Sequence, residues 1–383
     1  MTLNAQINFN GSALDPAHQV DAGFELGWDF AHYHLVPPAE QMLEGNPVRQ
    51  GWEAGQATFG SRTLQPTRHV RKWLQLRLNA WLRGKVFEGV QVTPHFLKAI
   101  EVPACPVTGE DLTHGTGKPS DASVDRVNNG AGYAAGNLAV MSARANTAKS
   151  LYDWRECAEF SRQVETGQLG QIDGLTARQW ARLASLCSLC TPLTHLEAAC
   201  MPLLVLPPTR LQVINPVQAM QVLLTLRFTR PGQLPRVDQV SSLFPGGIRS
   251  ALHAFMTTLL ARRLAAGPRL YEDGLRRAME GAWASPIVLK RWQQLATQLT
   301  PAWCEHIVER AVACGLAGSH LRCLTLEQAT DGWALDSGGL AATTVLVNRA
   351  LPVQAPIPKD AMRTCPALSG SRMVPSPCST SYS

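Results

Sequence analysis

Residues 123–150 read SVDRVNNGAGYAAGNLAVMSARANTAKS, and their character changes several times in quick succession. Ser123, Val124 and Val127 suit a short strand, with Asp125 and Arg126 near its end. NNGAGY reads as a turn because Asn and Gly tolerate positive φ. Gly136-Asn137 continues that loop, and LAVM supplies a second strand of four apolar residues. SARANTAKS then reads as a helix with Ser142 at its N-cap. The segment is therefore expected to be strand, loop, strand, helix.

Such a unit is small enough for a carboxylate on the first strand to face an amide oxygen on the helix. Asp125 and Asn146 are those two groups, and hard oxygen ligands suit Mg²⁺ or Mn²⁺ better than zinc. Asn137, between the strands, can both donate to and accept from loop backbone, so it reads as a brace for the turn.

Around this segment the chain of 383 residues is long enough for two or three domains. It is 45% hydrophobic and 17% charged, as expected of a globular protein, and its net charge of +6 permits a polyanionic partner without demanding one. No signal peptide is readable at the N-terminus, and the greasiest runs are short and broken by Pro or Arg, so no membrane span is expected. Ten cysteines without a secretory signal suggest reduced thiols and point to the cytoplasm.

Residues 1–60 are rich in Gly, Pro and aromatics and show no sustained period, which reads as an irregular N-terminal segment. TRHVRKWLQLRLNAWLR, residues 67–83, is the clearest helix of the first half, capped by Thr67 and stopped by Gly84. Val70, Trp73, Leu74, Trp81 and Leu82 fall on one side; Arg68, Arg71 and Lys72 fall on the other. That cationic face is either a solvated surface or a stripe for phosphate contacts. Residues 156–350 carry repeated three-four apolar spacing and read as an α-helical domain of unknown role, open to a protein partner. The Pro- and Ser-rich stretch 351–383 reads as a disordered tail.

The blocks Cys105-Pro106 with Gly109 and Leu112, Ser123 with Asp125-Arg126, Gly132-Tyr133 with Gly136-Asn137, and Ser142 with Arg144-Ala145-Asn146 and Lys149 occur in that order. Together they resemble the HNH, or ββα-metal, endonuclease family, in its phage-type branch. The resemblance covers about residues 93–150. It implies an α+β fold class: a small ββα-metal (HNH-like) module embedded in a mostly α-helical chain, the module and the basic helix together taking residues 61–155. It also implies one divalent metal, Mg²⁺ or Mn²⁺, that binds the scissile phosphate and stabilises the leaving oxygen in DNA hydrolysis. By position Asp125 is the strand ligand, Asn146 the helix ligand and Asn137 the loop brace, while Arg144 and Lys149 would contact phosphates.

One position departs from the family. Where most members have a base histidine after the strand ligand, this chain has Arg126, which cannot accept a proton but can clamp a phosphate oxygen. Losing a positioned base typically costs on the order of 10²–10⁴ in rate. The metal's own hydroxide, His114 or His95 could stand in, His114 being nearest in sequence. A degenerate module that grips nucleic acid without hydrolysis, or a helical interaction scaffold, are the alternatives. No zinc ribbon is expected, because Cys105 has no Cys-x-x-Cys partner and reads as a small core residue. Cys187 and Cys190 read as packed thiols. His32 and His34 lack a third ligand nearby.

Overall fold

The computed structural model describes residues 16–167, 169–232, 237–267, 271–317 and 332–341. The expected disordered tail, 351–383, lies outside them. Within them the chain mixes α and β structure: many helices and a single two-stranded antiparallel sheet.

Residues 16–60 correct the expectation of an irregular N-terminal segment, whose first fifteen residues lie outside the described ones. α1 (Pro16–His32) and α2 (Pro47–Phe59) lie side by side and run in the same direction, the chain returning through residues 33–46. Their contacts step from Gly23 against Pro47, through Phe24 against Gly51, to Ala31 against Gly55. A Cβ on Gly27 would lie 1.9 Å from the Val48 carbonyl oxygen, and one on Gly51 would lie 1.9 Å from the Phe24 carbonyl oxygen. Backbone meets backbone here, which glycine alone permits. His32 stacks on Phe59, with ring centroids 4.5 Å apart, and belongs to this packing.

α3 (Arg68–Leu82) begins as expected, Thr67 Oγ1 accepting from Val70 N at 3.2 Å. It is buried on two sides. Val70, Leu74 and Leu78 pack with Leu26, Phe30 and Val48 of α1 and α2. Leu76 and Ala80 join Phe96, Leu97 and Ile100, which belong to α4 (Pro94–Ala99) and its cap, and also Leu138 and Val140. Leu82, expected on the apolar side, is 52% exposed instead.

β1 (Ala122–Arg126) pairs with β2 (Leu138–Ser142), Asp125 opposite Ala139, and α5 (Ala143–Lys149) follows at once with Ser142 as its cap. Strand alternation splits the sheet between two cores. Ala122, Val124, Leu138 and Val140 face α3 and α4. Ala139 and Met141 join Ala145 and Ala148 of α5 in the largest core.

That core runs on without a break into the helical region. It takes in Trp180 and Leu183 of α7 (Ala177–Leu189), which packs on α6 (Trp154–Thr166). It continues through α8 (His195–Cys200), α9 (Pro216–Leu226), α10 (Val237–Ser241), α11 (Arg249–Ala265), α12 (Glu272–Ala282), α13 (Pro286–Ala296) and α14 (Pro301–Ala313). The three-four apolar spacing read between 156 and 350 forms helices wherever it is described up to residue 313. A boundary between 155 and 156 therefore does not separate two hydrophobic cores.

Residues 332–341 return to strap the β1–β2 loop. Gly132 N donates to Trp333 O at 2.8 Å, Trp333 Nε1 to Ala135 O at 3.0 Å, and Val86 N to Gly339 O at 3.0 Å. A Cβ on Gly132 would come within 2.4 Å of the Gly332 carbonyl oxygen, so the loop's glycine serves this close approach.

Candidate functional site

Strand and helix periodicity place four side chains together. Ser123 and Asp125, two apart on β1, share one face; Asn146 and Lys149, three apart on α5, share another. The faces meet: Asn146 Nδ2 donates to Ser123 Oγ at 2.8 Å, and Lys149 Nζ lies 2.8 Å from Asp125 Oδ2. The strand and helix residues expected to converge thus lie on one strand–helix contact.

Each of the two oxygen-bearing side chains is held by one atom and leaves another open. The buried Asp125 Oδ2 has the Lys149 ammonium as its partner and no aligned donor otherwise. No hydrogen bond to Asp125 Oδ1 or to Asn146 Oδ1 is found among the described residues. The Asp125 side chain keeps 17% of its surface exposed. Anchoring one carboxylate oxygen while leaving the other to a ligand is how outer contacts commonly orient a metal ligand.

Lys149 requires a correction. It was expected at a phosphate, yet it is fully buried, at 0% exposure. Its ammonium donates to Arg126 O at 2.8 Å and to Asn129 Oδ1 at 3.2 Å besides facing Asp125. Burial alone would lower its pKa; attraction led by Asp125 outweighs that and moves it above the ordinary lysine value. It is an internal counter-ion, because α5 turns it inward against the strand end.

Arg126 is corrected in the same way. It is 2% exposed, its Nη1 donates to Ala131 O at 2.9 Å and Asn129 O at 3.2 Å, and its guanidinium lies 4.7 Å from the Tyr133 ring centre. A guanidinium this buried, turned onto loop carbonyls and an aromatic face, is not presented to a phosphate. Asn137 is the brace its position suggested. Its Oδ1 accepts from Asn128 N at 2.8 Å, and its Nδ2 donates to Asn128 O at 3.0 Å and Gly132 O at 2.9 Å.

The remaining residues divide. Arg144, half-exposed, pairs with Glu110 at 3.1 Å, and Arg68 pairs with Glu101 at 2.7 Å, so both cations are partly spent. Arg71 is exposed and has no ion pair among the described residues. Among the described residues Lys72 donates to Gln75 Oε1, at 3.1 Å, and burial lowers its pKa against a smaller pull upward from Asp121. His114 and His95 are exposed, and neither makes a contact with Asp125 or Asn146 among the described residues. No cluster of three or more His, Cys, Asp or Glu side chains suited to a metal occurs among the described residues.

Cys105 is a core residue as expected, its sulfur accepting from Ser142 N at 3.3 Å. Cys187 and Cys190 are buried, Cys190 Sγ donating to Gln212 O at 3.2 Å. Cys200 is disulfide-bonded, which departs from the expectation of thiols throughout.

Against protein-family models, curated proteins and solved structures, the chain finds no match. The site is therefore judged on its own chemistry. Sequence reading missed the Asp125–Lys149 pair. Its signal was the three-residue step from Asn146 to Lys149, which puts both on the same helix face.

Proposed function

We propose that the β1–β2–α5 unit is an HNH-like site for one divalent cation, Mg²⁺ or Mn²⁺, and that the chain hydrolyses DNA phosphodiester bonds. The observation carrying this reading is that Asp125 Oδ1 and Asn146 Oδ1 receive no hydrogen bond among the described residues. Both side chains lie on one strand–helix contact and are fixed through their other atoms. Two hard oxygens held in this way fit Mg²⁺ or Mn²⁺. The bound ion would act as a Lewis acid on the scissile phosphate and its leaving oxygen.

The chain's own residues set the conditions. Lys149 balances the Asp125 carboxylate, so the pair presents no net negative charge, and a nucleic-acid phosphate supplies the charge these side chains lack. Asn137 and Arg126 hold the loop that ends β1. No imidazole joins this face among the described residues, so turnover is expected to be slow by roughly 10²–10⁴ relative to a site with a positioned base.

The absence of a joined imidazole favours a second reading, in which the unit binds DNA and does not hydrolyse it. Plasmid DNA with Mg²⁺ or Mn²⁺ separates the two. Nicking by the native protein, lost in Asp125→Asn and Asn146→Ala, supports the nuclease. Salt-sensitive binding with no nicking under either metal supports the binder. A protein that neither binds nor cuts DNA defeats both.

A further inference from the structure

The proposed DNA chemistry draws on nothing in α1, whose composition is one-sided. Its sequence, PAHQVDAGFELGWDFAH, carries the acids Asp21, Glu25 and Asp29 and no lysine or arginine. The acids recur every four residues, and so do Val20, Phe24 and Trp28, each one position before an acid. On a helix two such rows run side by side along one face. The opposite face is already used. Leu26, Phe30 and Ala31 are buried, Gly23 meets Trp81 of α3 and Gly27 meets Val48 of α2.

The outer face is an aromatic row beside an acidic one. Val20 and Phe24 are exposed. The Phe24 ring stacks on Trp28 with centroids 6.5 Å apart, Trp28 meets Phe59 of α2 edge-on at 5.0 Å, and Phe59 stacks on His32. Phe24, Glu25, Trp28 and Asp29 line an open groove of about 410 Å³. Of the acids, Asp29 is neutralised by Arg77 of α3. Glu25 lies 3.9 Å from the same guanidinium yet keeps 74% of its side chain exposed, and Asp21 is exposed with no ion pair among the described residues. Backbone contact at Gly27 and Gly51 fixes α1 on α2, so Trp28 and Phe59 are in place before any partner arrives.

We infer that this face of α1 is a docking surface for a basic amphipathic helix of a partner protein. Singly exposed apolar residues are ordinary, whereas a continuous aromatic row rimmed by charge has the character of an interaction surface. Apolar residues of the partner, at three- and four-residue spacing, lie along Val20, Phe24 and Trp28, and its lysines or arginines meet Asp21 and Glu25. The acids set the sign of the partner. The chain as a whole carries +6 but α1 carries only acids, so a cationic helix is drawn to this face and repelled by the net charge elsewhere.

The test is fluorescence anisotropy with a fluorescein-labelled amphipathic peptide of leucine and lysine, about fifteen residues long, titrated with the full chain. A second peptide has glutamate in place of every lysine. The native protein is compared with Phe24→Ser, Asp21→Lys, Glu25→Lys and, as a charge control on α14, Glu309→Lys. All four positions are exposed, so the variants keep the fold. The native chain should bind the leucine–lysine helix and not its acidic counterpart. Phe24→Ser should weaken Kd about tenfold, and each reversal on α1 several-fold at low salt, with Glu309→Lys close to native. No binding of the basic helix, equal binding of the acidic one, an unchanged Kd in Phe24→Ser, or a loss in Glu309→Lys matching that in Glu25→Lys overturns the assignment. Sedimentation velocity decides the remaining occupant: a native dimer that Phe24→Ser dissolves gives the face to a second copy and overturns the partner helix.

Discussion

The α1–α2 pair and the β1–β2–α5 unit both depend on glycine for close contact, yet they hold themselves together in different ways. In the first, Gly27 and Gly51 bring two helix backbones into contact, and the interface carries almost no polar bookkeeping. In the second, Gly132 admits residues 332–341, but the unit is stabilised by buried polar groups: Lys149, Arg126 and Asn137 satisfy one another's neighbours. The helix pair should fail through steric overlap and the hairpin unit through an unpaired charge. Substitution can separate these two modes.

The largest effect is expected at Lys149. Lys149→Met keeps the length and removes the ammonium, leaving Asp125 Oδ2, Arg126 O and Asn129 Oδ1 without their donor. Breaking one side of a buried ion pair costs about 3–5 kcal/mol. Urea denaturation should show that loss in the transition of the whole core, because Ala145 and Ala148 of the same helix belong to it. A loss below about 1 kcal/mol would mean that the carboxylate finds water, and the contrast between the two regions would weaken.

Next comes Gly51→Ala. The added methyl would meet the Phe24 carbonyl at 1.9 Å, so α1 must move away from α2. Overpacking of this kind costs about 1–3 kcal/mol. Hydrogen exchange should speed up in α1 and α2 while β2 stays protected, since Leu138 and Val140 pack in a different cluster from Leu26 and Val48. Equal loosening of β2 would show that the pair and the hairpin unit unfold as one.

These two regions also differ in how much of them could be read from the sequence. The hairpin unit was legible because each step carries a mark: valines for β1, Asn and Gly for the turn, Ser142 for the cap. Cap prediction can be tested directly. Ser142 Oγ accepts from Ala145 N at 3.3 Å, and Ser142→Ala should cost about 1 kcal/mol. The α1–α2 pair was invisible because its register is written in glycines, which add nothing to a hydropathy pattern. Lys149 and Arg126 were misread for a related reason: a cation in a motif looks the same whether it points to solvent or to a buried carbonyl. Only Lys149's position three residues after Asn146 hinted that it shared a face with the expected ligands. The shared core across residue 155 left no mark at all, because apolar residues do not name their partners.

The smallest effect concerns acid. Asp121 titrates near 2 in the folded protein against an ordinary value of 3.8. A carboxyl depressed on folding stabilises the native state above its unfolded pKa, and that contribution fades as pH falls from about 4 toward 2. Native protein should therefore lose loop order over that window, seen as faster exchange at Thr116 and Gly117, whose amides donate to the carboxylate. Asp121→Asn should show the loosened loop at neutral pH and no further change in the window. Because residues 114–119 of the loop 113–121 are exposed, the global transition should barely move in either protein. A large global shift in Asp121→Asn would instead place the loop among the elements that hold the hairpin unit together, and the division between a satisfied polar core and a separately organised rim would fall.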